Sequence, residues 1–176
     1  MQLNFATPQL KMRLLSKDDF ALFASLYGDE KTMRKICAPF DAEQLANTFE
    51  LALTRTHDQD YRYWMWVIEH QGKAIGLQSL EQRNSIPEHA EAGIMLLQSA
   101  NNKGHTIAAS KAIVSYGFKC LDFKRIYAEF NATNLATKRI LERLNFTYES
   151  ARNTDNGDNT VQKSLIYYLE AEKWHF

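Results

Sequence analysis

Nine residues, Tyr61-Arg62-Tyr63-Trp64-Met65-Trp66-Val67-Ile68-Glu69, divide this chain into two textures. A stretch this rich in aromatic and β-branched side chains suits a strand and resists a helix. Gln71-Gly72 follows as a turn, and Ala74 to Leu80 supplies a second strand, so the pair predicts a β-hairpin. Before this hairpin, apolar residues recur at helical spacing. After it, strands and helices alternate. A helical bundle and an all-β barrel are both excluded, and a layered sheet with helices is left.

The N-terminal part predicts one strand, Leu10 to Leu15, and three helices. Ser16 caps the first helix, with Asp19 in the acidic position three residues on and Phe20, Phe23, Ala24 and Tyr27 at helical spacing to Gly28. A short helix covers Glu30 to Ile36 before Pro39, and Asp41 caps a third with Leu45, Phe49, Ala52 and Leu53 on one face. Beyond the hairpin, Ala92 to Leu97 is a strand, a helix starts near Thr106, Arg125 to Phe130 is a strand, and Ala136 to Leu144 is a helix. Tyr148 to Asn153 and Val161 to Leu169 close the chain as strands around Asn156-Gly157. The order β-α-α-α-β-β-β-α-β-α-β-β predicts an α/β fold with a mixed sheet and helices on both faces. With 176 residues, no linker and no repeat, residues 1–176 are expected to form one domain. Trp64, Trp66 and Ile68 share one strand face, which is expected to be core. The runs Lys31 to Lys35 and Lys138 to Arg143 are expected to be solvated helix faces.

Lys+Arg and Asp+Glu both number 21, so the formal charge is zero and no global field favours nucleic acid or an anionic membrane. No apolar stretch approaches the ~18 residues a membrane span needs. Cys37 and Cys120 form no disulfide framework and no metal spacing. The opening Met-Gln-Leu-Asn-Phe-Ala has no signal-peptide pattern, so a cytoplasmic location, with no nucleic-acid, membrane or metal partner, is expected.

One loop carries chemistry. Asn101-Asn102-Lys103-Gly104-His105-Thr106 lies between a strand and a long helix, with no proline or acidic residue at the helix start. The first helical turn leaves N–H groups unpaired, and the macrodipole adds partial positive charge. A pyrophosphate satisfies both, with Gly104 allowing close approach and Lys103 and His105 adding donors at the rim. The loop lacks the Gly-Lys-Ser/Thr of a triphosphate site and the three spaced glycines of a dinucleotide fold. Its residues alone also fit an ordinary strand-to-helix turn facing water.

The chain resembles the GCN5-related N-acetyltransferases (GNAT), of the RimJ/RimL ribosomal-protein type, in six stretches taken in order. These are TPQLKMRLLSKDDFALFASL from Thr7, WMWVIEHQGKAIGLQSL from Trp64, HAEAGIMLL from His89, NNKGHTIAASKAIVSYGF from Asn101, NATNLATKRILERLNF from Asn131 and YYLEAEKW from Tyr167. The resemblance implies a GNAT-like fold and acetyl-CoA (coenzyme A) as co-substrate. Main-chain groups of Met95, Leu96 and Leu97 would pair with the pantetheine arm, and one N–H would polarise the thioester carbonyl. Asn102, Lys103, Gly104, His105 and Thr106 would hold the pyrophosphate, and Asn134 would contact the cofactor arm. Thr137, in the Ser position of Asn-x-x-Ser, would hydrogen-bond the sulfur.

Four departures stand out. Asn101 replaces Gln or Arg, Thr106 replaces a second small residue, and Asn145 replaces Gly. Leu141 stands where many members carry the Tyr that protonates the departing thiolate.

An alkyl amine near pKa ~10.4 needs a base, and a peptide α-amine near ~8 needs less of one. Glu91 is the candidate base, with His89 on the same strand face and Glu81 as a second candidate. A solvated strand end is the plainer alternative for Glu91. The expected function is an N-acetyltransferase acting on a primary amine by direct attack in a ternary complex. The RimJ/RimL resemblance points to the N-terminal α-amine of a protein or peptide. A small amine, such as a polyamine or amino sugar, is the alternative acceptor. A non-catalytic acyl-CoA-binding module is the alternative function. Homodimerisation is a habit of the family.

Overall fold

The computed structural model describes residues 3–58, 60–83, 85–101, 103–155 and 161–175. Asn102 and the Asn156-Gly157 turn lie outside them. Among the described residues, eight strands form one sheet in the order β1-β2-β3-β4-β5-β6-β8-β7. They are β1 (Phe5–Ala6), β2 (Lys11–Leu14), β3 (Tyr63–His70), β4 (Lys73–Gln82), β5 (His89–Leu96), β6 (Arg125–Asn131), β7 (Thr147–Asp155) and β8 (Val161–Glu170). Every neighbouring pair is antiparallel except β5 and β6. A parallel pair needs a crossover, and α4 (His105–Cys120) is the long element of that connection.

α1 (Phe20–Tyr27) and α3 (Ala42–His57) cover one face of the sheet, whereas α4 and α5 (Leu135–Arg143) cover the other. The mixed sheet predicted from the element order is therefore present. β3 explains the aromatic run: every residue from Tyr63 to Ile68 is buried. Trp64, Trp66 and Ile68 pack in the core with Ile113 of α4 and Phe123. Tyr63, Met65 and Val67 pack with Phe23, Phe49 and Leu53 of α1 and α3. A central strand covered on both faces loses the usual polar alternation.

The predicted capping residues act as expected, with local differences. Asp19 accepts from the Ser16 N–H at 2.8 Å, but this box opens a 3₁₀ turn, Lys17–Asp19, before α1. Arg13 donates to both Asp19 oxygens at 2.7 Å and to Glu69, tying β2, β3 and the α1 start together. Burial pushes the Asp19 carboxyl up, yet the hydrogen bonds from Arg13 and Ser16 outweigh it and hold it below the usual range. Asp41 and Gln44 form the box that starts α3. The short helix α2 (Glu30–Met33) stops before the predicted Ile36, because the chain tightens into a turn with the Ile36 N–H on the Met33 carbonyl at 2.7 Å. β1 was not expected, since two residues carry no periodicity.

Candidate active site

β5 and β6 pair at only three positions: His89 with Arg125, Ala90 with Ile126, and Glu91 with Tyr127. Beyond Glu91 and Tyr127 the two strands separate. A cavity of about 390 Å³ fills the splay, lined by Ala92 to Met95 of β5 and Ala128 to Asn131 of β6. Thr106 and Ser110 of α4 and Thr137 and Leu141 of α5 line it from the helical side.

The main chain at this edge follows a strict parity. The Leu97 N–H donates to the Ile75 carbonyl at 2.9 Å, and the Arg83 N–H donates to the His89 carbonyl at 2.8 Å. The register runs without a shift from Gly76↔Leu96 to Gln82↔Ala90. Odd-numbered residues of β5 therefore bond to β4, and even-numbered ones turn their N–H and C=O toward β6. Past the last β6 pair, these are Ala92, Ile94 and Leu96. Of the three residues expected to hold a pantetheine arm through the main chain, only Leu96 faces the gap. The main chain of Met95 pairs with β4, the Leu97 N–H is held by Ile75 and the Leu97 carbonyl by the Ala100 N–H, so Ala92 and Ile94 face the gap with Leu96. Gly76 lets the two strands approach: a Cβ there would lie 2.3 Å from the Met95 carbonyl oxygen.

The loop before α4 turns at its glycine. Gly104 is left-handed, φ +79°, and is the N-cap. Among the described residues no side chain caps this helix, and Ala108 N–H bonds back to the Gly104 carbonyl at 3.1 Å. The first-turn amides thus lack helical partners. Lys103 is exposed beside them, and Thr106 reaches the cavity. His105 is not at the rim as expected. It is 8 % exposed, its ring packs 4.4 Å from the His70 ring, and its Nδ1 has no hydrogen-bond partner among the described residues. The first residue of the helix turns its side chain toward the β3 end and not toward the loop mouth. Asn102 lies outside the described residues.

On α5, Asn134 is the N-cap, its side-chain oxygen accepting from the Thr137 N–H at 3.4 Å. Asn134 and Thr137 both line the cavity, and no hydrogen bond of the Thr137 hydroxyl occurs among the described residues. Leu141 is buried in the same wall, so the position of the absent Tyr is filled by an aliphatic group. Asn145, in the glycine position, adopts φ +64°, which Asn tolerates better than most residues. Tyr27 lines the cavity, and desolvation pushes its phenol up to about 12, with Cys37 adding to the shift. Lys35 also lines the cavity, so the Lys31–Lys35 run is not wholly a solvated face.

Three carboxylates occupy neighbouring strands beside the splay. Glu81 pairs in register with Glu91, and Glu91 with Tyr127, two residues before Glu129. Strand alternation puts all three on the face that carries Tyr63 and Met65, where α1 and α3 pack. Each has an arginine: Arg55 bonds Glu81, Arg83 lies 3.8 Å from Glu91, and Arg152 holds Glu129 through Nε at 2.8 Å and through Nη2. Burial raises the Glu91 pKa, and repulsion from Glu129 adds to it, against smaller opposing effects of Arg83 and Arg152. His89 shares this face as expected, its Nδ1 3.5 Å from the Tyr127 hydroxyl, and burial, Arg125 and Arg83 lower its pKa. Glu91 lies beside the cavity; Glu129 lines it. Glu129 escaped the sequence reading because only the β6 register brings it next to Glu91. Among the described residues no group of three His, Cys, Asp or Glu side chains is placed to hold a metal, and no helix is long and apolar enough to cross a membrane.

The family described as the acetyltransferase (GNAT) domain matches residues 9–147. The chain belongs to the GNAT acetyltransferase family. Its resemblance to the Escherichia coli (strain K12) spermidine N(1)-acetyltransferase is 27 % identity over 142 residues, covering 80 % of this chain and 74 % of that one. A relative named as a ribosomal N-acetyltransferase in Bacillus subtilis (strain 168) is 24 % identical over 60 % of this chain and 58 % of its own. The crystal structure of the Vibrio cholerae spermidine N-acetyltransferase, in complex with CoA and spermine, superposes with a TM-score of 0.82 at 23 % identity, covering 95 % and 98 % of the two chains.

Membership in the GNAT family makes the protein an acetyltransferase with acetyl-CoA as the acyl donor. The splayed β5–β6 edge and the uncapped α4 start suit that donor. Two of the curated relatives are named for spermidine and match 80 % of this chain, and the one named for ribosomal N-acetylation matches 60 % of it.

Proposed function

We propose that this GNAT protein transfers the acetyl group of acetyl-CoA to a small primary amine that carries further positive charges, a polyamine being the type. The observation that carries this reading is the row Glu81, Glu91, Glu129 on one face of the sheet beside the splay. A polycation offers each carboxylate a replacement for its arginine, whereas a peptide N-terminus brings one charge. The names of the relatives point the same way. This reading replaces the protein N-terminus expected from the sequence.

The donor arm would lie along the free edge of β5, with N–H groups of Ile94 or Leu96 polarising the thioester carbonyl. The amides after Gly104, with Lys103 and Thr106, would hold the pyrophosphate. Asn134 and Thr137 would meet the far side of the arm, Thr137 donating to the sulfur as it leaves. Glu91 would take the proton of the attacking ammonium through water, a task that its raised pKa suits. Tyr27 keeps its proton at neutral pH and is a second donor facing the same cavity.

The test is CoA release from acetyl-CoA against a panel of spermidine, spermine, monoamines and peptides with free N-termini. Polyamines should turn over fastest, and Glu129→Gln with Arg152→Gln should raise their KM roughly tenfold. Faster turnover of peptides, or equal KM for monoamines and polyamines, would overturn the reading.

A further inference from the structure

We propose that Gln78 is a positioning residue for the acyl donor, its side-chain carboxamide pairing with an amide of the pantetheine arm. This rests on the reading that acetyl-CoA occupies the splay. Gln78 lies in the middle of β4, between Trp66 of β3 and Ile94 of β5. It is only 2 % exposed, and its side-chain carbonyl oxygen has no hydrogen-bond partner among the described residues. The residue also lines the cavity, together with Ile94, Thr106 and Ser110.

A buried carboxamide without a partner is unfavourable. Its in-register neighbours are apolar, so a Met or Leu would satisfy the position as a matter of packing alone. The unpartnered atom is a carbonyl oxygen, an acceptor, and the N–H of a secondary amide is a donor that would satisfy it. The donor's arm carries two secondary amides between its thiol and its pyrophosphate. Gln78 shares the cavity with Thr106 at the helix start and Thr137 at the opposite wall, which is the stretch that such an arm spans. The main chain of Ile94 and Leu96 would take one side of the arm, and the Gln78 carboxamide would meet an amide from the floor.

The experiment compares the wild-type chain with Gln78→Met and Gln78→Leu, measuring calorimetric Kd for acetyl-CoA, kcat, KM for each substrate and thermal midpoint. Both variants should bind acetyl-CoA roughly five- to tenfold more weakly, with the amine KM unchanged and no loss of thermal stability without ligand. The decisive comparison uses acetyl-CoA analogues in which one pantetheine amide is replaced by an ester. One such analogue should lose affinity for the wild type by a similar factor and lose none for Gln78→Met. Unchanged acetyl-CoA affinity in both variants, or equal penalties for both ester analogues in wild type and variant, would overturn the assignment and leave Gln78 as a structural residue. A wild-type chain that failed to bind acetyl-CoA would instead overturn the reading of the splay itself.

Discussion

Thr137 and Glu91 are separable by kinetics. Removing the hydroxyl that faces the cavity, as Thr137→Ala, should lower kcat about tenfold while changing acetyl-CoA affinity little, since a bond to a developing thiolate strengthens only as charge appears. Equal kcat would remove Thr137 from the chemistry. Glu91 has a pKa raised by burial and by Glu129, so activity should climb as pH rises through that value. Glu91→Gln should lower kcat/KM by about 10² and flatten the acid limb of the pH profile. His105 gives a stability signature. Burial, His70 and Lys103 lower its pKa from 6.5, so the unfolded chain takes up the proton first. Its contribution is complete above pH 6.5 and declines as pH falls toward the folded-state value. His105→Asn should therefore lose less thermal stability than the wild type between pH 7 and pH 5 in a melting series.

At the scale of elements, the α4 start and the β4–β5 pair are the sensitive parts. Gly104 has φ +79°, and among the described residues beyond its chain neighbours no atom lies within 4 Å of a Cβ position, so the glycine serves the backbone angle. Gly104→Val should cost about 1–2 kcal/mol in stability from that angle. It should weaken CoA binding roughly tenfold or more if the amides behind it hold the pyrophosphate. Unchanged affinity in the folded variant would move the pyrophosphate elsewhere. Gly76 differs: its Cβ would meet backbone, so Gly76→Ala must push β4 from β5 and should disturb the edge formed by Ile94 and Leu96.

The whole molecule reports occupancy through its melting temperature. Ligand at ~100 times its Kd adds ~2.7 kcal/mol, which raises the midpoint of a domain this size by roughly 5–10 °C. Acetyl-CoA and CoA should both do so, and ATP should not; no shift with either CoA species would mean that the splay does not bind them. The order of strands and helices was legible from the sequence alone, because hydrophobic period and capping residues such as Ser16 and Asp41 are local properties. Gly104 and Thr106 stood out as the turn between a strand and a long helix, whereas Asn134 and Thr137 came only with the family resemblance; the structure places Thr106, Asn134 and Thr137 on the cavity wall. β1 and the early end of α2 were not legible, being too short to show a period. Nor was the choice of Leu96, Ile94 and Ala92 over Met95 and Leu97, since a one-residue change of parity turns the main chain to the other edge. The chain thus determined its elements, its composition and the loop at Asn101–Thr106 by itself. The tertiary structure decided that β5 and β6 part after Glu91, that Glu81, Glu91 and Glu129 stand in a row, and that Gln78 is buried against the cavity. Strand register and splay arise from pairing between distant segments, and no window of sequence contains that pairing.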